Sequence, residues 1–118
     1  MGMGPGMFRH TEGILGFYKA ELRITDAQTP QWNGFADAAR AGAKNMREGM
    51  QHMAAQAAAA TMPEQLERRV AMLGSFHEAA KSVAAAAKTL YAVLTPEQRK
   101  LADEFMADHM RGMRRMVP

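Results

Sequence analysis

At 118 residues the chain fits one domain, able to bury roughly two-thirds of its unfolded surface. It has no cysteine, which excludes a disulfide scaffold and thiol chemistry, and no apolar run approaches the ~20 residues that a bilayer span needs. Fifteen basic residues against 12 acidic ones give a formal charge of +3; their signs are interleaved, so the surface is mildly basic without being a nucleic-acid-binding tail.

Hydrophobic residues make up 47% of the chain, but only five Phe, two Tyr and one Trp are among them. Alanine and methionine carry most of that share. A thin core of small and flexible side chains suits packed helices better than a sandwich or barrel.

In chain order, residues 1–12 read as a flexible arm, because Met1-Gly2-Met3-Gly4-Pro5-Gly6 carries no helical or strand period. The same stretch lacks the apolar h-region of a signal peptide, so an exported form of this chain is read as a mature one. From Gly13 the pattern turns helical, and Ile14, Leu15, Phe17, Tyr18 and Leu22 form an apolar stripe on a short first helix. The next segment runs from about Asp26 to Ala60. Within it Trp32, Phe35, Ala39, Gly42, Met46, Gly49 and Met53 recur in steps of three and four, a heptad seam. Pro30 would clash inside such a helix. The spacing therefore predicts a short turn over 25–28, with the long helix restarting at Thr29-Pro30.

Thr61 and Glu64 frame a capping box for the third helix, with Pro63 in its first turn. Its seam reads Leu66, Val70, Leu73, His77, Ala80, Ala84, Ala87, Tyr91 and Leu94, and the alanines allow close approach of a partner helix. The fourth helix is expected from Thr95, turning Leu101 and Phe105 inward, with Met106 a further candidate for the inner face. The last residues, 114–118, read as a tail, and the domain proper as 13–113. No β-branched alternation occurs, so the expected class is all-α, with four helices. Thirty helical residues span ~45 Å, whereas a compact domain of this size has a radius of gyration near ~13–14 Å. The two long helices are therefore expected to form an extended hairpin flanked by short helices. An apolar face left open on such a hairpin is closed most simply by a second copy.

One phrase occurs twice: Ile24-Thr25-Asp26-Ala27-Gln28 and Leu94-Thr95-Pro96-Glu97-Gln98. Both read aliphatic-Thr-x-x-Gln, a helix start in which the threonine hydroxyl accepts from the N–H three residues on. The glutamine reaches back to the threonine N–H. The doubled phrase in a short, Met-rich helical chain resembles the LTxxQ-motif family of Spy- and CpxP-like periplasmic stress proteins, over about Gly13 to Met110. The first copy departs from the family pattern in having Ile24 for leucine. The resemblance implies an exported, periplasmic four-helix protein that dimerises into a cradle. Its Spy-like members are ATP-independent chaperones, CpxP-like members modulate an envelope sensor, and others bind zinc or copper. The motif residues set the fold and do not choose among those functions.

Other features bear on that choice. Methionine accounts for 12 of the 118 residues. Met46, Met50 and Met53 share one helical face, flanked by Arg40, Lys44 and Arg47. A deformable apolar strip edged by positive charge suits unfolded clients with apolar and acidic segments, although a solvated helix face looks the same. Met7 and His10 in the arm, and His109, Met110 and Met113 near the other end, combine thioether and imidazole, which suits copper, with zinc the other candidate. His77-Glu78 fails as a zincin motif because Lys81 stands where the second histidine belongs, and His77 reads as a packed or interface histidine. There is no Gly-x-Ser-x-Gly and no phosphate loop after a strand, so the chain reads as a non-enzyme. Glu48 and Asp37 dilute the basic flank, which argues against nucleic acid as a partner.

Overall fold

In this computed structural model the described residues are 3–56 and 60–116, with side chains described for 11–55 and 60–111. They form α1 (Met3–Leu22), a 3-10 turn (Asp26–Gln28), α2 (Thr29–Gln56), α3 (Met62–Val93) and α4 (Pro96–Met116), with no strand among them. The longer pair, of 28 and 32 residues, builds an antiparallel hairpin, and the 20- and 21-residue helices pack at its open end, where α2 begins and α3 ends. The molecule measures 52 × 27 × 24 Å with a radius of gyration of 16.7 Å, above the value for a compact domain of this size, as the helix lengths required.

The expected break at Pro30 is present. The 3-10 turn occupies 26–28 and the long helix restarts at Thr29, which puts Pro30 in the first turn, where a backbone N–H has no intrahelical partner. Thr61 caps α3 by accepting from the Glu64 N–H at 3.3 Å. The Gln65 side chain donates to the Ala60 carbonyl at 2.9 Å.

Two helix bounds correct the sequence reading. The segment expected as an arm, 1–12, is helical from Met3, and α4 extends to Met116 into the expected tail. Glycines cost about 1 kcal/mol each inside a helix, but extending an existing helix needs no new nucleus. Pro5 falls in the first turn, where it is tolerated.

The end of α1 holds the one positive φ among non-glycine residues described, at Arg23 (54°). The Arg23 N–H donates to the Ala20 carbonyl at 3.2 Å and the Ile24 N–H to the Lys19 carbonyl at 3.3 Å, the bond pair of a Schellman termination. Ile24 then packs on the core. A left-handed arginine costs roughly 1–2 kcal/mol that glycine avoids, partly offset by glycine's backbone entropy. Arg23→Gly is therefore expected to raise the unfolding free energy by about 0.5–1 kcal/mol in urea denaturation, and a destabilised variant would refute this account of the turn.

The core is small: Leu15 and Leu22 of α1, Trp32 and Ala36 of α2, with Leu90 and Leu94 closing from the end of α3. Leu101 and Phe105 of α4 pack against it, as expected, whereas Met106, one residue further round the helix, is exposed. Tyr18 stacks on Phe105 with centroids 4.8 Å apart.

The third-helix seam lies elsewhere than the hairpin interior. Gly42 sits against Val83 and Ala79, and Gly49 against Met72 and Phe76. Leu66, Val70, Leu73, His77, Ala80 and Ala84 are exposed, and only Leu94 of the expected seam is buried in the core. The helix carries two apolar stripes about 100° apart, and the glycines of α2 seat the other one.

Candidate functional site

The doubled motif starts two elements and then joins them. At the second copy the box is complete: the Gln98 N–H donates to Thr95 Oγ1 at 3.2 Å, and Gln98 Oε1 accepts from the Thr95 N–H at 2.8 Å. At the first copy Gln28 Oε1 accepts from the Thr25 N–H at 3.1 Å. There the Gln28 N–H donates to the Thr25 carbonyl at 3.0 Å.

Each glutamine still has its amide N–H groups to place. Gln28 Nε2 donates to Gln98 Oε1 at 2.8 Å, and Gln98 Nε2 donates to Gln28 Oε1 at 3.0 Å. The remaining donors reach the carbonyl of Val93 (2.9 Å, from Gln28) and that of Leu22 (2.9 Å, from Gln98). Each oxygen thus accepts twice and both N–H groups of each amide are engaged, the full capacity of an amide, with Gln98 Nε2 also 3.4 Å from the Arg23 carbonyl. Both residues are buried. The arrangement is close to two-fold symmetric, and it ties the end of α1 to the end of α3. Reading the glutamines as local caps missed this pairing, because an i to i+3 spacing carries no information about what the second half of the amide meets. The aliphatic residues that open the two motifs join the core, Leu94 as a buried member and Ile24 packed against it.

The expected client strip lies on α2. Met50 follows Trp32 by five turns of about 3.6 residues, and Met53 follows Phe35 likewise, so the stripe that begins in the core continues up the hairpin. Its lower end is covered by α1 and α4; at its upper end Met46 and Met50 are exposed and Met53 is half-buried. On the neighbouring helix Leu66, Val70 and Leu73 are also open, at 53%, 70% and 57% exposure. The distal half of the hairpin is therefore rich in uncovered apolar side chains.

Its positive edge is weaker than the sequence suggested. Arg40 donates to Glu12 at 2.6 Å and to Asp37 at 3.0 Å. The bond to Glu12 raises its pKa above the ordinary guanidinium value, so its charge is permanent but already matched within the chain. Arg47 is half-buried, and Lys44 stands exposed.

Of the metal-ligand candidates, His109 and Met110 are exposed on α4, while the side chains of Met7, His10 and Met113 lie outside the described residues. Among the described residues no group of three or more His, Asp or Glu side chains is placed to hold a metal. The concavities are shallow: one of about 330 Å³ between α2 and α3 is lined by Pro30, Gln31, Gly34, Ala86 and Thr89. No helix among the described residues is long and apolar enough to cross a membrane.

Neither the curated proteins nor the solved structures contain a match to this chain. The family model described as LTXXQ motif family protein matches residues 10–106, the span that contains both copies of the motif and the clasp they form. The chain belongs to the LTXXQ motif family.

Proposed function

We propose that this chain is an exported, periplasmic, chaperone-like protein that holds unfolded or apolar clients during envelope stress, as a homodimer and without ATP, catalysis or a bound metal. The observation that carries the reading is the run of exposed apolar side chains along the distal hairpin: Met46 and Met50 on α2, with Leu66, Val70 and Leu73 on α3. Exposed contiguous apolar surface on a folded chain marks an interaction site. Methionine suits a surface that must fit many sequences, because its unbranched thioether chain repacks at little cost. Shallow grooves suit an extended, variable client better than a fixed small ligand.

The test is aggregation of an unrelated, chemically unfolded protein, followed by light scattering in metal-free, ATP-free buffer. The wild-type chain is expected to suppress scattering near one dimer per client. Met46→Asp/Met50→Asp, whose sites are exposed, is expected to keep its helical circular dichroism while needing at least about fivefold more protein for the same suppression. Undiminished suppression by the double variant removes the methionine strip from the account, and no suppression by the wild type at several-fold excess ends the chaperone reading.

A further inference from the structure

Sulfur is the element that oxidants attack most readily in side chains, and this sequence carries all of its sulfur as thioether: 12 methionines and no cysteine. A thiol, where one is present, takes up an oxidant through its thiolate. Here methionine has no such competitor, and susceptibility among the methionines follows exposure.

The fold sorts the described methionines into two groups. Met46 and Met50 are exposed on successive turns of α2, about 6 Å apart along the helix axis, and neither belongs to the core or packs on it. Met62, Met106 and Met110 are exposed as well, but outside the α2 strip. Met72 is different. It is half-buried, and its sulfur lies 3.7 Å from the point that a Cβ on Gly49 would occupy, inside the contact between α2 and α3. An oxygen added to Met72 would have to enter that contact, whereas one added to Met46 or Met50 has open solvent to occupy.

We propose that Met46 and Met50 are a reversible oxidation site, which turns client holding off under oxidant and restores it on reduction. Such control acts on the client strip, and so rests on the chaperone reading above. A peroxide or hypochlorous acid transfers one oxygen atom to the thioether sulfur. The sulfur gives up two electrons; the peroxide leaves as water, and hypochlorous acid as chloride and a proton. The product is a sulfoxide, polar and chiral where the thioether was apolar. Its oxygen accepts hydrogen bonds from water, and an apolar client offers it no donor. Covering it with a client therefore carries a desolvation cost that the thioether did not. With one sulfoxide on each of two successive turns, a client segment lying along the strip meets both. The fold itself loses nothing, because both side chains already face water. The return step belongs to dithiol-driven methionine sulfoxide reductases, one for each sulfoxide epimer. The dithiol supplies two electrons and two protons and becomes a disulfide, and the oxygen leaves as water.

The full chain is treated with hydrogen peroxide, quenched, and read in three ways. Peptide mass spectrometry is expected to find Met46 and Met50 converted at least about fivefold faster than Met72; equal rates overturn the sorting on which the proposal stands. Circular dichroism is expected to show unchanged helix once the exposed methionines are oxidised, and a loss of helix overturns the proposal, since unfolding would then explain any loss of holding. In the aggregation assay the oxidised chain is expected to need at least about threefold more protein for the same suppression. Treatment with both epimer-specific reductases is expected to restore the original requirement. Met46→Leu/Met50→Leu separates these two sulfurs from the rest, because its Met62, Met106 and Met110 remain open to oxidation. Each protein is compared with its own untreated form, so any effect of the leucines before treatment cancels. Peroxide is expected to leave that variant's requirement where it was. A rise equal to that of the wild type overturns the proposal, as does full suppression by a wild-type chain shown to be oxidised at 46 and 50. The latter result leaves the chaperone reading standing, whereas failure of the untreated chain to suppress aggregation ends both, so the two failures are distinguishable.

Discussion

Gln98→Ala is expected to lower the unfolding free energy by about 3–5 kcal/mol, and the reason lies in what the amide leaves behind. The substitution strands the Leu22 carbonyl, the Thr95 N–H and one donor and one acceptor position on Gln28, all at the junction of three helix ends. A buried polar group left unmet costs roughly 1–3 kcal/mol, and two or three such groups account for the sum. Surface substitutions elsewhere stay within about 0.5 kcal/mol. Gln98→Glu is expected to be comparably damaging at neutral pH despite its matching shape. A carboxylate oxygen would replace the nitrogen that now donates to Leu22 and Gln28, so acceptor would face acceptor, and the charge would be buried. Burial raises the folded-state pKa of such a carboxyl above its unfolded value. The variant's stability should therefore improve as pH falls, when the protonated acid regains one donor, and worsen as pH rises. Because Gln28 and Gln98 share two bonds, Gln28→Ala/Gln98→Ala should cost less than the two single losses added together. Urea titrations followed by circular dichroism measure all of these. A loss below 1 kcal/mol for Gln98→Ala would show that the clasp is not what joins α1 to α3.

Trp32→Ala should cost a similar amount, about 3–5 kcal/mol, for an unrelated reason. Trp32 is 3% exposed and is the largest member of a core with, among the described residues, five other buried apolar side chains, so little neighbouring material is available to refill the space. Its ring lies 5.7 Å from that of Phe35, a contact that also disappears. Val70→Ala removes apolar atoms as well, but from a side chain 70% exposed. Measured on the single chain, it should change stability by no more than about 0.5 kcal/mol. Equal losses for the two variants would mean that Val70 is covered within the monomer. A near-zero loss for Trp32→Ala would mean that the core collapses freely around the missing indole.

Local chemistry was legible in the sequence wherever a short-range rule decided the outcome. The restart at Thr29-Pro30, the threonine caps at 61 and 95 and the all-helical class follow from proline geometry, capping spacing and a 3.6-residue period, each settled within one or two turns. The elongated shape followed from helix length alone. The doubled motif was equally visible, and with it the family to which the chain belongs.

What the tertiary structure decided are the questions with two locally equivalent answers. Residues of α3 offer two apolar stripes, and nothing within that helix says which one meets α2; Gly42 and Gly49, far away in sequence, make the seat for Val83, Ala79, Met72 and Phe76. The glutamines of the two motifs satisfy the same cap rule separately, and only the docking of the helix ends turns them into one reciprocal pair across 70 residues of chain. Arg40 read as a free positive edge until packing brought Glu12 of α1 beside it. In each case the sequence determined what a residue can do within its own helix, since that depends on neighbours one turn away. Which partner it meets depended on how four helices share one small core, a choice set by the summed packing of distant residues.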